Sequence, residues 1–580
     1  MGFHNFWLLH TIDDLKLSLK LGLKQSDIIY STNSSIKVYL DEQHNINSDM
    51  ISSLLISDEI EAITLKSFEE LENELKKLDI KYSSIISKNI NISENIEYFR
   101  SQYLHLYRYK YSGLIAILRG LEKAFNKYTE LKNIYIFKSS VQPNFERFIK
   151  QKITVLSTIE NRNMNISVKD KLKDFLRPLL YVYKSLKLYR NLIIDDNLST
   201  IIYWGGMYDL TPVIPHLKKH NQIVYSHTDS YFPLFHWRLY TKKIKIIESN
   251  TVKFPIDLIL NDIKKDFNSK IGKQLTALEI IANKIKKHKV DFAIWANPPA
   301  FGIKALVFNY LRKKKIKIIG YQHGASYGYD DYYGQHITTD YENSDYFISY
   351  GFIKQDLKKH YKNISESKLT TIDKVSILPI GRYSIQISDN NFINQLNILY
   401  PLNNNLDIFS YGLFRGSPET LTETQRNIIH IIDCYQQTLI KPFVNYNYMN
   451  CSVIPLLENL KKAKVNHKLQ FKYYLQNFKI NIVIIDAINS TTLNETLALT
   501  DIPVILYLNK KDEKYVSKDA LTRLKEEVFV VYSKEALKII IDKILNKEIQ
   551  NKPRGAFSHK YAKPETVENI ANKLNKLMGL

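Results

Sequence analysis

The sequence predicts an α/β protein built on mostly parallel sheets, and three observations predict it. Apolar runs of strand length alternate with longer segments whose apolar residues recur at helical spacing. The longest such runs, Ile482 to Ile485 among them, stay far short of the ~20 residues of a membrane span. A chain of 580 residues that is 44% hydrophobic and 24% charged is too long for one core and apolar enough for two or three.

In chain order, Asp27 to Tyr30, Ala62 to Leu65 and Asn133 to Phe137 read as strands. Tyr98 to Tyr128 reads as a long aromatic-rich helix that opens a helical region of about 98–190. A run of βα units follows. Thr200 to Trp204 is a strand, Asp209 to Lys219 a helix and Gln222 to Tyr225 a strand; Gln274 to Lys287 is a helix and Asp291 to Trp295 a strand. Phe301 to Lys313 is then a helix, with Ile316 to Gly320, Tyr346 to Ser349 and Ile377 to Ile380 as strands. Asn-rich sequence between Gly381 and Leu406 marks a boundary, so the domains are expected at 1–385 and 386–580. The second series has Asp407 to Tyr411 as a strand, Glu419 to Gln436 as a helix and Lys441 to Tyr446 as an extended segment. Lys479 to Ile485 is a strand, Thr492 to Leu499 a helix, Pro503 to Tyr507 a strand, and Pro564 to Met578 a terminal amphipathic helix. Two successive α/β domains imply a cleft, a common place for a small-molecule site.

Lys and Arg number 81 against 59 Asp and Glu, a net charge of +22. That excess admits nucleic acid, an anionic membrane surface or a phosphorylated substrate. Only 14 of the basic residues are Arg, no nucleic-acid-binding motif is found, and the Lys excess is dispersed, which argues against nucleic acid. Two cysteines, Cys434 and Cys451, do not make a disulfide framework or a Cys-based zinc site and suggest a reducing compartment. Met1 to His10 lacks the layout of a secretory signal. The expectation is a cytoplasmic protein, resting peripherally on the inner face of the membrane where lipid-linked acceptors are found.

Ligands of parallel α/β sheets sit beyond the carboxyl ends of the strands, so the residues after each strand carry the functional reading. Gln322-His323-Gly324 with Tyr327 and Gly328 follows one strand. A histidine there suits a general base or a donor to phosphate, and glycines allow close backbone approach; a loop histidine between turn glycines is the plain alternative. Ser490, Thr491, Thr492 and Glu495 lie at a strand-to-helix turn, where hydroxyls and helix N–H groups seat a phosphate, although Thr492 and Glu495 also fit a capping box. Arg415 and Gly416 precede a Ser417-Pro418 helix start and suit a pyrophosphate or carboxylate, or a solvated surface. Gly205 and Gly206 form a phosphate-type turn before Asp209, itself a cap or a base, and Gly381-Arg382 is a hinge or a phosphate contact. No Walker A loop, H-E-x-x-H or G-x-S-x-G is present, and His323 and His336 lack a matching set of carboxylates for a metal.

These motifs carry a resemblance. The strand followed by Gln322-His323-Gly324 and Tyr327-Gly328, then a second α/β domain with Ser490-Thr491-Thr492 and Glu495 before Ile502 to Ile505, resembles bacterial surface-polysaccharide glycosyltransferases of the GT-B fold. The likeness is to transferases of lipopolysaccharide and capsule clusters, akin to Kdo and nonulosonate transferases and distantly to CDP-glycerol glycerophosphotransferases. It spans roughly Thr200 to Leu508, and earlier residues match only in general layout. It implies two Rossmann-like domains, an N-terminal one facing the acceptor and a C-terminal one holding a nucleotide-sugar donor, CMP-linked sugars among the options. The His-Pro and acidic-acidic-Gly motifs of several CMP-sugar transferases are missing, so neither donor nor base follows from the likeness. What is implied is metal-independent transfer of a sugar to a glycan or lipid-linked acceptor, without a resident cofactor; transfer of a polyol phosphate is the alternative. His323 is the candidate base or phosphate donor, with Asp209 and Glu419 as carboxylate rivals. Ser490, Thr491, Arg415 and Arg382 would stabilise the departing phosphate.

Overall fold

The computed structural model describes residues 4–89, 97–128, 131–137, 157–159, 200–204, 210, 212–217, 222–226, 255–287, 290–295, 302–329, 336–360, 366–383, 392, 394–404, 418–443, 446–447 and 451–579. Three all-parallel sheets organise them. The first comprises β1 (His4–Leu9), β2 (Ile28–Ser31), β3 (Asp49–Met50), β4 (Leu131–Phe137) and β5 (Ser157–Ile159), in the order β3-β2-β1-β4-β5. The second comprises β6 (Thr200–Trp204), β7 (Gln222–Ser226), β8 (Val290–Trp295), β9 (Lys317–Tyr321), β10 (Tyr346–Ser349) and β11 (Ser376–Pro379), ordered β11-β10-β9-β8-β6-β7.

After β12 (Arg382–Tyr383), the third sheet comprises β13 (Asn394–Pro401), β14 (Thr438–Lys441), β15 (Lys464–Val465), β16 (Phe478–Ile485), β17 (Val504–Tyr507) and β18 (Phe529–Val531). Its order is β15-β14-β13-β16-β17-β18, and a short β19 (Pro564–Glu565) pairs with β12. Counted within itself, the third sheet runs 3-2-1-4-5-6, the doubly wound Rossmann order; the second runs 2-1-3-4-5-6, the flavodoxin-like variant of the same rule. The α/β class with parallel sheets and a C-terminal helix is therefore as expected.

Parallel strands covered on both faces read as continuous apolar runs, and β16 shows why the run Ile482–Ile485 was legible: all four side chains are fully buried. Each such burial is worth about 1.5–3 kcal/mol. Ile482 and Ile484 meet Ile428 and Ile432 of the helix Pro418–Ile432 and Leu537 and Ile541 of the helix Lys534–Leu545 in one core. Val38, on the helix Ser34–Tyr39 after β2, belongs to that same core.

The chain divides into two compact units that are discontinuous in sequence. One holds Met1–Phe68, Tyr109–Asn163 and Gln386–His559; the other holds Glu69–Arg108, Met164–Ile385 and Lys560–Leu580. One crossing falls at 385/386, but the first sheet shares a unit with the third, and the terminal helix shares one with the second. That helix, Val567–Leu577, places Ile570, Ala571 and Leu574 against Ile294 of β8, Ile319 and Tyr321 of β9 and Ile348 of β10.

Three readings of single elements need correction. Ala62 to Leu65 is not a strand but part of the helix Ser57–Asn89. The helical spacing of Ile60, Phe68, Leu71 and Leu75 around it outweighs the β-propensity of Ile63 and Thr64, and Thr64 Oγ1 bonds back to the Ile60 carbonyl at 2.8 Å. The Asn-rich stretch after Gly381 is not only a boundary, because it contains β13, a central strand pairing with both β14 and β16. Three of its first four residues are polar and these four are exposed or half-buried, while its last four are buried, which hid the strand from its composition. The predicted helix Asp209 to Lys219 is helical only over Ile214–Leu217 among the described residues. The strand expected at 407–411 lies outside the described residues.

Candidate functional site

The loop leaving β9 is built by the residue that begins it. Gln322 is fully buried; its Oε1 accepts from the Tyr350 backbone N–H at 2.8 Å and its Nε2 donates to the Gly324 carbonyl at 2.7 Å. It therefore fastens the β9 exit to the β10 exit and folds the backbone back over itself, leaving His323 at the turn. Gly328 closes the turn with φ +83°, where an added Cβ would lie 2.5 Å from Phe352 Cγ. Only glycine meets both demands.

His323 retains a quarter of its side-chain exposure, and its Nδ1 and Nε2 lie 2.8 Å and 3.3 Å from the hydroxyl of Tyr327, four residues onward. Tyr327 is buried and donates that hydroxyl to Asp340 Oδ1 at 3.1 Å. Asp340 is fully buried, 3.7 Å from His323 Nδ1 and 3.5 Å from His336 Nδ1, and it also accepts from the Thr339 hydroxyl. The His336 ring stacks on Tyr327 at 3.7 Å between centroids. Burial works against the charge of Asp340, but the contact with His336, the nearby His323 and the Thr339 hydroxyl outweigh it and hold the carboxyl below the usual carboxylate range. Burial, reinforced by the charge of Asp340, pushes the Tyr327 phenol well up. Two histidines that seemed to lack a carboxylate thus converge on one, with a tyrosine between them. The signal available in sequence was the four-residue interval from His336 to Asp340, one helical turn.

Arg382 belongs to the same unit as this loop. It is 2% exposed, its backbone N–H donates to the Lys563 carbonyl at 2.7 Å, and its guanidinium carbon lies 5.3 Å from the centre of the Tyr350 ring. Gly381 before it, at φ +114°, would place a Cβ 2.9 Å from Glu565 Cβ, so the hinge turn is enforced by the β12–β19 pairing.

The second group of predicted residues lies in the other unit, beyond the third sheet. There the strand order reverses between β13 and β16, the position where open α/β sheets receive ligands. Asp486, at the β16 exit, accepts from the Asn403 backbone N–H at 3.2 Å, from Tyr400 Oη at 2.9 Å and from Gln425 Nε2 at 3.0 Å, linking the β13 and β16 exits. Burial raises its proton affinity against these three donors. The helix Thr491–Leu499 starts five residues later. Its N-cap is Ser490, so Thr492 is inside the first turn and the capping box read at Thr492 and Glu495 does not form. Ser490 Oγ and Thr492 Oγ1 instead bond to each other at 2.5 Å, while Thr491 is exposed. Lys441, at the β14 exit, has its proton affinity lowered by burial, with the charge of Glu495 opposing. Neither Asp486 nor Lys441 was singled out in sequence, although each is the polar residue that ends an apolar strand.

Glu419, in the first turn of the helix Pro418–Ile432, is engaged by Lys37 at 2.7 Å. Arg415, Gly416, Gly205, Gly206 and Asp209 lie outside the described residues.

A sequence profile of LIC12162 family transferases matches residues 118–535, well over half of the chain and inclusive of both groups of loops. The chain belongs to the LIC12162 family of transferases. No curated protein matches this LIC12162-family chain in sequence. Among solved structures it is similar to a UDP-GlcNAc 2-epimerase from Neisseria meningitidis bound to UDP-GlcNAc, at 12% identity and a TM-score of 0.35, over 66% of this chain and 100% of that one. It is also similar to the wall teichoic acid polymerase TagF with CDPG, at 12% identity and a TM-score of 0.34, over 70% and 97%. Likeness at this level bears on neither the substrate nor the mechanism of the LIC12162-family chain.

Proposed function

We propose that this transferase moves a sugar from a nucleotide-activated donor to a hydroxyl of a glycan or lipid-linked acceptor. The observation that carries the proposal is the helix N-terminus at Thr491, set just beyond the point where the Rossmann-ordered third sheet reverses its strand order. Free N–H groups and the positive end of the helix dipole stabilise the charge of a departing nucleotide phosphate. The exposed Thr491 hydroxyl adds a donor, and Ser490, tied to Thr492, braces the turn. His323 is the candidate proton acceptor. As the acceptor oxygen forms its bond to the anomeric carbon, the hydroxyl proton passes to the imidazole, and the bond to the nucleotide phosphate breaks with its electron pair leaving on oxygen. Arg382 is buried against Tyr350 and supports the Gly381 turn in this reading, and Glu419 stays paired with Lys37.

The test is turnover by purified protein offered nucleotide-activated sugars and, in parallel, a CDP-polyol with hydroxyl acceptors. His323→Gln is expected to lower the rate ~10²-fold or more while leaving the melting temperature within a few degrees. Full activity in that variant removes His323 from the chemistry, and turnover of the CDP-polyol alone reassigns the transferred group.

A further inference from the structure

The nucleotide reading of the third sheet uses the turn at Thr491 but not the residues that end β14. There the chain runs Lys441-Pro442-Phe443. Pro442 is buried, whereas Phe443 is 56% exposed. A turn fixes its backbone directly after the proline, because the Phe443 carbonyl accepts from the Tyr446 N–H at 3.2 Å. Lys441 is half-buried, and its Nζ lies 6.0 Å from the centre of the Phe443 ring. Among the described residues its ammonium has no hydrogen-bond acceptor and no carboxylate at ion-pair distance. Burial lowers its proton affinity, and Glu495, on the helix that starts at Thr491, is the carboxylate whose charge opposes that effect. Withdrawing a cation from water without pairing it costs stability, and groups of this kind mark ligand sites.

These side chains stand on the same edge of the sheet as the Thr491 turn. The Lys441 carbonyl accepts from the Leu402 N–H at 3.0 Å, and the next amide, that of Asn403, donates to Asp486 Oδ2 at 3.2 Å. The exits of β14, β13 and β16 are thereby stitched in series, up to the residue five before Thr491. The ladders agree. Pro401 pairs with Lys441 and Leu399 with Val483, which sets Lys441 level with Ile485 two strands away. Two strand spacings are about 10 Å, a distance that a nucleotide bridges with its phosphate at one end and its base at the other. We propose that Lys441 and Phe443 form the nucleoside end of the donor site: the base stacks on the Phe443 ring, and the Lys441 ammonium donates to a phosphate oxygen. This inference rests on the reading of the third sheet as a nucleotide seat, and adds to it the groups that hold the nucleoside. Every base offers a face to an aromatic ring, so the stacking grips the nucleoside without selecting its base. The neighbouring exits supply Asn447, Asn466 and the Tyr446–His467 ring pair, 5.2 Å between centroids, rather than the broad apolar patch that a docked protein needs.

Titration calorimetry of the full chain with CMP, CDP, UDP, GDP and inorganic pyrophosphate tests it, at one ionic strength because salt screens phosphate contacts. Phe443→Ala is expected to weaken whichever nucleotides bind the wild type by roughly 5- to 150-fold and to leave pyrophosphate unchanged. Phe443→Leu, which keeps apolar bulk without an aromatic face, behaves like Phe443→Ala, and Phe443→Tyr binds like the wild type. Lys441→Met keeps the lysine stem and weakens nucleotides and pyrophosphate alike, by roughly 10-fold or more. Phe443 is exposed, so its variants melt within a few degrees of the wild type. In Phe443→Trp the added indole reports stacking directly, by fluorescence that nucleotide quenches and pyrophosphate does not. Unchanged nucleotide affinity in Phe443→Ala or Phe443→Leu, or an equal loss of pyrophosphate in Phe443→Ala, overturns the stacking. Unchanged affinity in Lys441→Met overturns the phosphate contact. Either result, combined with nucleotide binding that Thr491→Glu abolishes, refutes this inference and leaves the phosphate seat standing. A wild type that binds none of the four nucleotides refutes both.

Discussion

At the scale of single residues, the β9 loop is specified by side chains that act on one another rather than on solvent. Gln322 spends both ends of its amide on backbone groups, so His323 is presented by a scaffold whose hydrogen bonds are already satisfied. Gly328 is the position least open to change. A methyl group there combines a left-handed backbone with a 2.5 Å approach to Phe352 Cγ, so Gly328→Ala is expected to lower unfolding free energy by about 2–4 kcal/mol. Urea denaturation measures it, and a loss under about 0.5 kcal/mol would show that the loop relaxes freely. The histidine and the glycines of this loop were legible in sequence because they directly follow an apolar strand. Asp340 was not, because its importance comes from burial beside Tyr327 and His336, and nothing in the local sequence marks a carboxylate as buried.

At the scale of elements, the long helices carry information that strand-end reading misses. Asp79, on the helix Ser57–Asn89, accepts from the backbone N–H groups of Phe99 at 2.7 Å and Arg100 at 2.9 Å, and so caps the helix Tyr98–Lys127 from a distance of 20 residues in sequence. Burial pushes its carboxyl up from 3.8 to about 7, outweighing the two amide donors, with the charge of Glu97 adding to the rise. A raised folded-state value means that the folded protein binds the proton more tightly than the unfolded chain. The stabilisation is complete below 3.8 and is lost as the pH climbs through about 7. Chemical denaturation of wild type and Asp79→Asn across pH 4 to about 8 should therefore show the wild type losing stability relative to the variant, because a neutral amide caps without titrating. A difference that stays flat or grows with pH contradicts the assignment. Elements with a single strong period, such as β16 and the helix Tyr98–Lys127, were recognisable from apolar spacing alone. β13 was not, since its first half is polar at three of four positions and only partly buried, and its strand character comes from pairing with β14 and β16 on either side. The N-terminal strand β1 was missed for a related reason: its first two residues, His4 and Asn5, are polar, and only its last four are buried and apolar.

At the scale of the whole molecule, the order of the strands says more than the number of domains. A linear division at 385/386 follows from reading the chain as two successive series, yet the compact units are assembled from separated segments, which no local pattern announces. The order 3-2-1-4-5-6 of the third sheet is a long-range property of the same kind, and it is what sets the strand-to-helix turn at Ser490 beside the point where the strand order reverses, the position proposed above as a ligand seat. The central claim is that this seat binds the phosphate of a nucleotide-activated donor. Thermal denaturation in the presence of CMP, CDP, UDP and GDP tests it most directly, with Thr491→Glu as the partner variant. A glutamate in the first turn suits the helix dipole and preserves the fold, while its charge repels a phosphate from the same N–H groups. The account predicts that at least one nucleotide raises the melting temperature of the wild type in a concentration-dependent manner, and that Thr491→Glu abolishes the shift while melting normally on its own. No shift with any of the four, or an equal shift in Thr491→Glu, would contradict it.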